Sequence, residues 1–284
     1  MHKLLGFFLF LISLSAFGQG KASDGLSEKL ISVSLSDKSS LQGVLSVKEG
    51  ASNPSVLVVL LPGHPAVVRP ITLQGGKVEK MAISGNFLLR ARRQLINPDI
   101  ATLVVDCKES PAIGDECPEA YMASKERFDD LDVIIKAVKQ ELKSVKKVWL
   151  LSTSFGTVTS SHIPKERYSE YSGIIHTSTI NQTHKYSTQY DVKYEQITTP
   201  QLFIHHAGDA CSVSRYEGLL GIAQKAGIPL YTIAGDKKRS DEKISVDPCN
   251  AFSPHGFKGI EVQVMQLIRK AILEGIQASN TFEF

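Results

Sequence analysis

The sequence predicts an α/β protein built on a mostly parallel sheet flanked by helices, with an antiparallel hairpin at its start. Three observations carry this. Short, continuous apolar runs recur at 55–63, 100–106, 147–152, 173–178 and 200–206, and runs of that kind suit strands buried on both faces of a sheet. Between them lie stretches whose apolar residues repeat every three or four positions. Ahead of them, "LISVSLS" (30–36) and "LQGVLSV" (41–47) are β-rich runs separated by polar "DKSS", the pattern of a hairpin. Strands that alternate with helices imply crossover connections within one sheet.

Taken in order, the first segment stands apart. After "MHK" the run 4–17 is apolar, Ala16 and Gly18 are small and suitably spaced, and polar residues follow. This is the layout of a cleaved secretory signal, assigned here to residues 1–18; the competing reading is a retained membrane anchor at the short end of a span. A single domain is expected over 27–280, since no repeat, low-complexity tract or proline-rich linker divides it. In "KERFDDLDVIIKAVKQEL" the apolar positions 128, 131, 134, 135, 138 and 142 share one helical face, and 260, 264, 267, 268 and 272 do the same near the end. Weaker helical patterns cover 85–96 and 214–226, and "IPLYTIAG" (228–235) reads as the last strand.

A net charge of +3 on 284 residues is too small to point to nucleic acid or a strongly anionic partner. Export to the periplasm or the medium makes the four cysteines readable, because thiols pair in an oxidising compartment. Four cysteines allow three connectivities. Cys107 and Cys117 bracket a short loop with Pro111 and Gly114, which leaves Cys211 with Cys249. A zinc site is the rival, but no pair has C-x-x-C spacing.

In open α/β sheets reactive groups collect beyond the carboxyl ends of strands, and unusual residues stand at several such ends here. Ser154 follows "KVWLLS" and opens "FGTVTSSH", a strand turning into a helix. The pattern G-x-S-x-G belongs to such a turn, where neighbours must be small; Gly156 is present and Ser152 replaces the first glycine. A helix-capping serine is the plain alternative. Asp209, in "HHAGDAC", follows a buried strand and can orient a histidine; Asp236 is the rival acid. His255, in "SPHGFKGIE", is held in a tight loop before the last helix, a place for a general base. His205 and His206 are neighbours in a strand, so they face opposite sides and cannot both join one site.

The three residues fall in the order Ser, Asp, His, separated by 55 and 46 positions. With "LPGHP", "NFLLRARRQL", "ATLVVDCKES", "HHAGDAC" and "PCNAFSPHGFKGIE", the chain from about residue 30 onward resembles the α/β-hydrolases, and more narrowly a group of exported bacterial members of unassigned substrate. The resemblance implies the α/β-hydrolase fold, with Ser154 as nucleophile, His255 as base and Asp209 as orienting acid, and no cofactor or metal. Two backbone N–H groups of such a fold bind the oxyanion: Phe155 would give one, and His64 or Ala66 the other, because Pro65 has none to give. If the acid and base loops meet, Cys211–Cys249 would staple them, and closing a loop of that length is worth roughly 3 to 4 kcal/mol on the chain-entropy model.

Arg90 and Arg93 share a face of the 85–96 pattern and could bind an acidic substrate group, the alternative being a solvated helix face. The segment 179–199 occupies the usual place of a lid but is short and polar, which disfavours lipid interfaces. The expected activity is hydrolysis of an ester or similar acyl bond in a small or soluble substrate, with no stable membrane insertion after signal cleavage. Peptide, thioester and acyl-transfer chemistry stay open, as does oligomeric state. The competing classes are a non-catalytic binding protein that keeps the fold, and a metal-dependent hydrolase using His64.

Overall fold

The computed structural model describes residues 25–51, 53–182, 187–235 and 245–284; segment 1–18 and Asp236 lie outside them. In chain order the strands are β1 (Leu26–Ser34), β2 (Ser40–Lys48), β3 (Val56–Leu61), β4 (Thr72–Gln74), β5 (Lys77–Lys80), β6 (Ile100–Val105), β7 (Lys147–Thr153), β8 (Gly173–Thr177), β9 (Gln201–His206), β10 (Leu230–Ala234) and β11 (Asn280–Glu283). The helices are α1 (Phe87–Ala91), α2 (Glu119–Met122), α3 (Lys125–Glu141), α4 (Gly156–Ser161), α5 (Tyr216–Ala226) and α6 (Glu261–Glu274).

Among the described residues the main sheet runs β1-β2-β6-β3-β7-β8-β9-β10-β11. Its first three strands pair antiparallel and the rest parallel. The apolar runs are buried on both faces because consecutive side chains alternate. Leu57, Val59 and Leu61 of β3 join a core with α3 and α5, while Val56, Val58 and Leu60 join a second core with α1 and α6. Helix α3 is held by its apolar stripe: Phe128, Leu131, Ile134 and Val138 are fully buried, and each such side chain contributes about 1.5–3 kcal/mol. It begins where Ser124 accepts a hydrogen bond from Arg127 N at 3.1 Å, a side-chain N-cap.

Two expectations change. The run 228–235 is not the last strand, for β11 adds to β10 in parallel register at the sheet edge; its polar sequence hid it, since an edge strand has one neighbour and little buried face. The pattern at 85–96 is not one helix. It is the short α1 followed by a 3₁₀ turn at Arg92–Gln94. At that turn Glu28, buried on β1, pairs with both Arg92 (2.9 Å) and Arg93 (2.6 Å).

Candidate active site

Strand β7 ends at Thr153 and α4 begins at Gly156, so the chain reverses its style within two residues. Ser154 takes φ +49°, a left-handed conformation that non-glycine residues adopt only where the surroundings enforce it. The enforcement is visible: Ser154 N donates to Thr177 O at 3.1 Å, tying the turn to the end of β8. A Cβ at Gly156 would lie 2.1 Å from Leu61 O and 2.7 Å from Pro62 O, so only glycine allows the helix to start this close to β3.

Ser152, which stands where the usual pattern has glycine, is accommodated by a polar chain beneath the turn. Its hydroxyl meets Ser160 Oγ at 2.7 Å, Ser160 Oγ meets His176 Nδ1 at 2.9 Å, and His176 Nε2 meets Gln201 Oε1 at 3.3 Å. Burial pushes His176 down to about 3, so its imidazole is neutral. Because Gln201 offers an oxygen, Nε2 carries the proton and Nδ1 accepts from Ser160. The extra hydroxyl therefore has a partner, and a buried polar group that is paired costs little.

His255 sits in a 3₁₀ turn at Pro254–Gly256. The turn is pinned from both sides, since Ser253 Oγ accepts from His255 N at 3.2 Å and Ser178 Oγ donates to His255 O at 2.5 Å. From there His255 Nε2 lies 2.9 Å from Ser154 Oγ and His255 Nδ1 lies 2.9 Å from Asp209 Oδ2. The loop after β9 brings the carboxylate in, with Asp209 Oδ1 accepting from Cys211 N at 2.9 Å. Burial on its own raises the Asp209 pKa, but hydrogen bonds from His205 and His255, and their charge, outweigh it and hold the carboxyl well below the usual range. An ionised acid facing Nδ1 fixes the tautomer that leaves Nε2 able to accept a proton from Ser154.

The disulfides Cys107–Cys117 and Cys211–Cys249 are both present. The second joins the loop of Asp209 to the loop of His255. His64 pairs through Nε2 with Glu116 at 3.0 Å, and its ring lies 5.9 Å from that of Phe155. Ala66 N donates to Gly63 O at 2.8 Å, so of the two expected donors on this loop Ala66 is already engaged. Arg90 and Arg93 do not line the cleft. Arg90 is bound to Glu261 (2.9 Å), Gly85 O (2.6 Å) and Gly256 O (2.5 Å), and Arg93 to Glu28. The face that the spacing suggested for an acidic ligand is used up by internal partners.

Two residues around the acid escaped the sequence. Ser214 Oγ donates to Asp209 Oδ2 at 3.1 Å and lies 2.9 Å from His255 Nδ1. His205, fully buried, directs Nε2 at Asp209 Oδ2 (3.1 Å) and at Ser214 O (2.7 Å); both partners are acceptors, so Nε2 is the donor. His206 faces the other way and accepts from Gly208 N at 2.9 Å, as strand alternation requires. The available signal was a histidine four positions before the acid, with no way to tell which of two adjacent histidines pointed inward.

Ser154 and His255 open into a cleft of about 480 Å³ whose walls include His64, Asn86, Phe87, Val213, Cys249 and Phe252. A larger cleft of about 650 Å³ between α5 and residues 278–281 contains none of these groups. Size is not the guide here, because of the two only the smaller holds a serine hydroxyl beside a histidine. The segment 179–199 contributes only short 3₁₀ turns at Ser187–Asp191 and Tyr194–Gln196 among its described residues, and 183–186 lie outside them.

No family model matches the sequence, and no curated protein matches it either. Solved structures do. A serine hydrolase without lid from Xanthomonas campestris is 15% identical, with 88% of this chain and 93% of that one covered and a TM-score of 0.52. A cold-adapted esterase from an Arctic intertidal metagenomic library is 12% identical over 87% of this chain and 94% of its own, at TM-score 0.53. Est1E from Butyrivibrio proteoclasticus is 13% identical over 87% and 98%, at TM-score 0.54. The chain has the α/β-hydrolase fold.

Proposed function

We propose that the protein is a serine hydrolase of carboxylesterase type, with Ser154 as nucleophile, His255 as general base and Asp209 as the acid that orients it. The observation that carries this is the unbroken pair of 2.9 Å contacts from Ser154 Oγ through His255 to Asp209, mounted on a strained turn that thrusts the serine into a cleft. In the reaction His255 Nε2 takes the Ser154 proton as Oγ attacks the substrate carbonyl. The carbonyl oxygen becomes an oxyanion facing Phe155 N–H and His64 N–H. The imidazolium then gives its proton to the leaving alkoxide, and a water repeats the sequence to release the acid. The modest size of the cleft and the short polar 179–199 segment favour a small or soluble acyl substrate, the ester class named for the cold-adapted relative.

The same reading puts the enzyme, with its hydrolase domain at 27–280, in the periplasm or the medium after loss of the 1–18 leader. Two disulfides support an oxidising compartment. Among the described residues no helix is long and apolar enough to cross a membrane. The test is labelling of the oxidised, folded protein by a fluorophosphonate beside Ser154→Ala. Labelling of the parent that vanishes in the variant is expected. A folded parent that stays unlabelled refutes the hydrolase and leaves a binding protein on the same fold.

A further inference from the structure

The loop that should supply the first oxyanion donor is poorly furnished. Pro65 has no N–H, and Ala66 N–H is committed to Gly63 O. Beside that loop stands Asn86, the first residue of the "NFLLRARRQL" stretch and part of the cleft wall.

Its amide has a defined orientation. Asn86 caps α1, with Oδ1 accepting from Leu88 N at 3.1 Å. Turning the amide over would set two donors face to face, so Oδ1 stays on Leu88 and Nδ2 points the other way. That other way is toward the nucleophile. The position of a Cβ on Gly63 is 3.1 Å from Asn86 Nδ2 and 3.1 Å from Ser154 Cβ, so the amide nitrogen and the serine flank one glycine with no side chain between them. None of the described residues accepts a hydrogen bond from Asn86 Nδ2, although the group is fixed and half-buried. A donor that is held in place, unspent and across one glycine from Ser154 is arranged for charge that exists only during reaction.

We infer that Asn86 is a catalytic residue whose side-chain Nδ2–H donates to the substrate oxyanion, acting with Phe155 N–H and His64 N–H. As the Ser154 Oγ–carbon bond forms, the carbonyl π pair moves onto oxygen, the serine proton passes to His255 Nε2, and Asn86 Nδ2 stabilises the new negative oxygen. This explains Gly63 on functional grounds, because a side chain there would wedge the donor away from the serine. The inference rests on Ser154 being the nucleophile.

The experiment compares the parent with Asn86→Ser and Asn86→Asp in hydrolysis of 4-nitrophenyl acetate, with thermal melts and fluorophosphonate labelling of each. Both replacements keep an oxygen that can cap α1, so melting temperatures stay close to the parent. Expected is a fall in kcat of roughly a hundredfold for Asn86→Ser and a larger one for Asn86→Asp, which adds a charge that repels the oxyanion, with KM changing much less. Folded variants with parental kcat overturn the inference. So does a loss confined to KM, which would make Asn86 a ground-state contact, and so does a loss in Asn86→Asp with none in Asn86→Ser, which would report the added charge alone. A parent that neither labels nor hydrolyses the ester takes down the serine mechanism itself, and is distinguishable from these because Asn86 then makes no difference.

Discussion

Breaking the Cys211–Cys249 bond should cost activity out of proportion to stability. The two cysteines are 38 positions apart, while Cys107 and Cys117 are 10 apart. On the chain-entropy model the first bond restrains the unfolded chain by about 4 kcal/mol and the second by about 3 kcal/mol. For a chain of this size that is a fall in melting temperature of about 10 °C for either, too similar to tell them apart. Their places differ. Cys211 N is the donor to Asp209 Oδ1, and Cys249 lies six positions ahead of His255 on a loop that shapes the cleft. Without the bond the loop carrying His255 is no longer tied to the loop carrying Asp209, and on the proposed mechanism a misplacement of about 1 Å can cost on the order of a hundredfold. The assay is kcat/KM for 4-nitrophenyl acetate with melting curves, for Cys211→Ala/Cys249→Ala against Cys107→Ala/Cys117→Ala. The first pair is expected to lose at least tenfold more activity than the second at comparable melting temperature. Equal activities would show that the hydrogen bonds alone keep acid and base in register.

Two further outcomes follow from buried charge and from the acid's surroundings. Burial alone raises the Glu28 pKa, but Arg93, Arg92 and Val78 N overcome it and lower it from 4.5 to about 2. A carboxyl depressed on folding stabilises fully above its unfolded pKa, so about 3 kcal/mol should be lost as pH falls from about 4.5 toward 2. Denaturant melts across that range should show the loss in the parent and not in Glu28→Gln; equal slopes would refute it. Ser214→Ala and His205→Leu each remove a donor from Asp209, whose pKa then rises, so the low-pH limb of kcat/KM moves to higher pH. A folded variant with lower kcat and an unmoved limb would mean these residues only support packing.

Much of the site was legible because its signals are local. A strand-to-helix turn needs small neighbours, so Ser154 and Gly156 stand out in one short stretch, and Asp209 and His255 are recognisable by the loops they interrupt. Arg90 and Arg93 show the opposite case. Their spacing was real, but Glu261 and Glu28, far away in the chain, claimed them first. The same holds for β11, whose polar residues say nothing of the strand it meets.

The amino-acid sequence by itself determined the α/β architecture, the chain order of Ser154, Asp209 and His255 and the pairing of the cysteines, because burial periodicity, turn chemistry and loop length are written within a few residues. Only the tertiary structure decided that His205 rather than His206 turns to Asp209, that a buried serine–histidine chain accepts Ser152, and that Asn86 faces Ser154. Each of those depends on the direction of one side chain at a meeting of distant segments, and hydrogen bonding enforces that direction only after the sheet has brought the segments together.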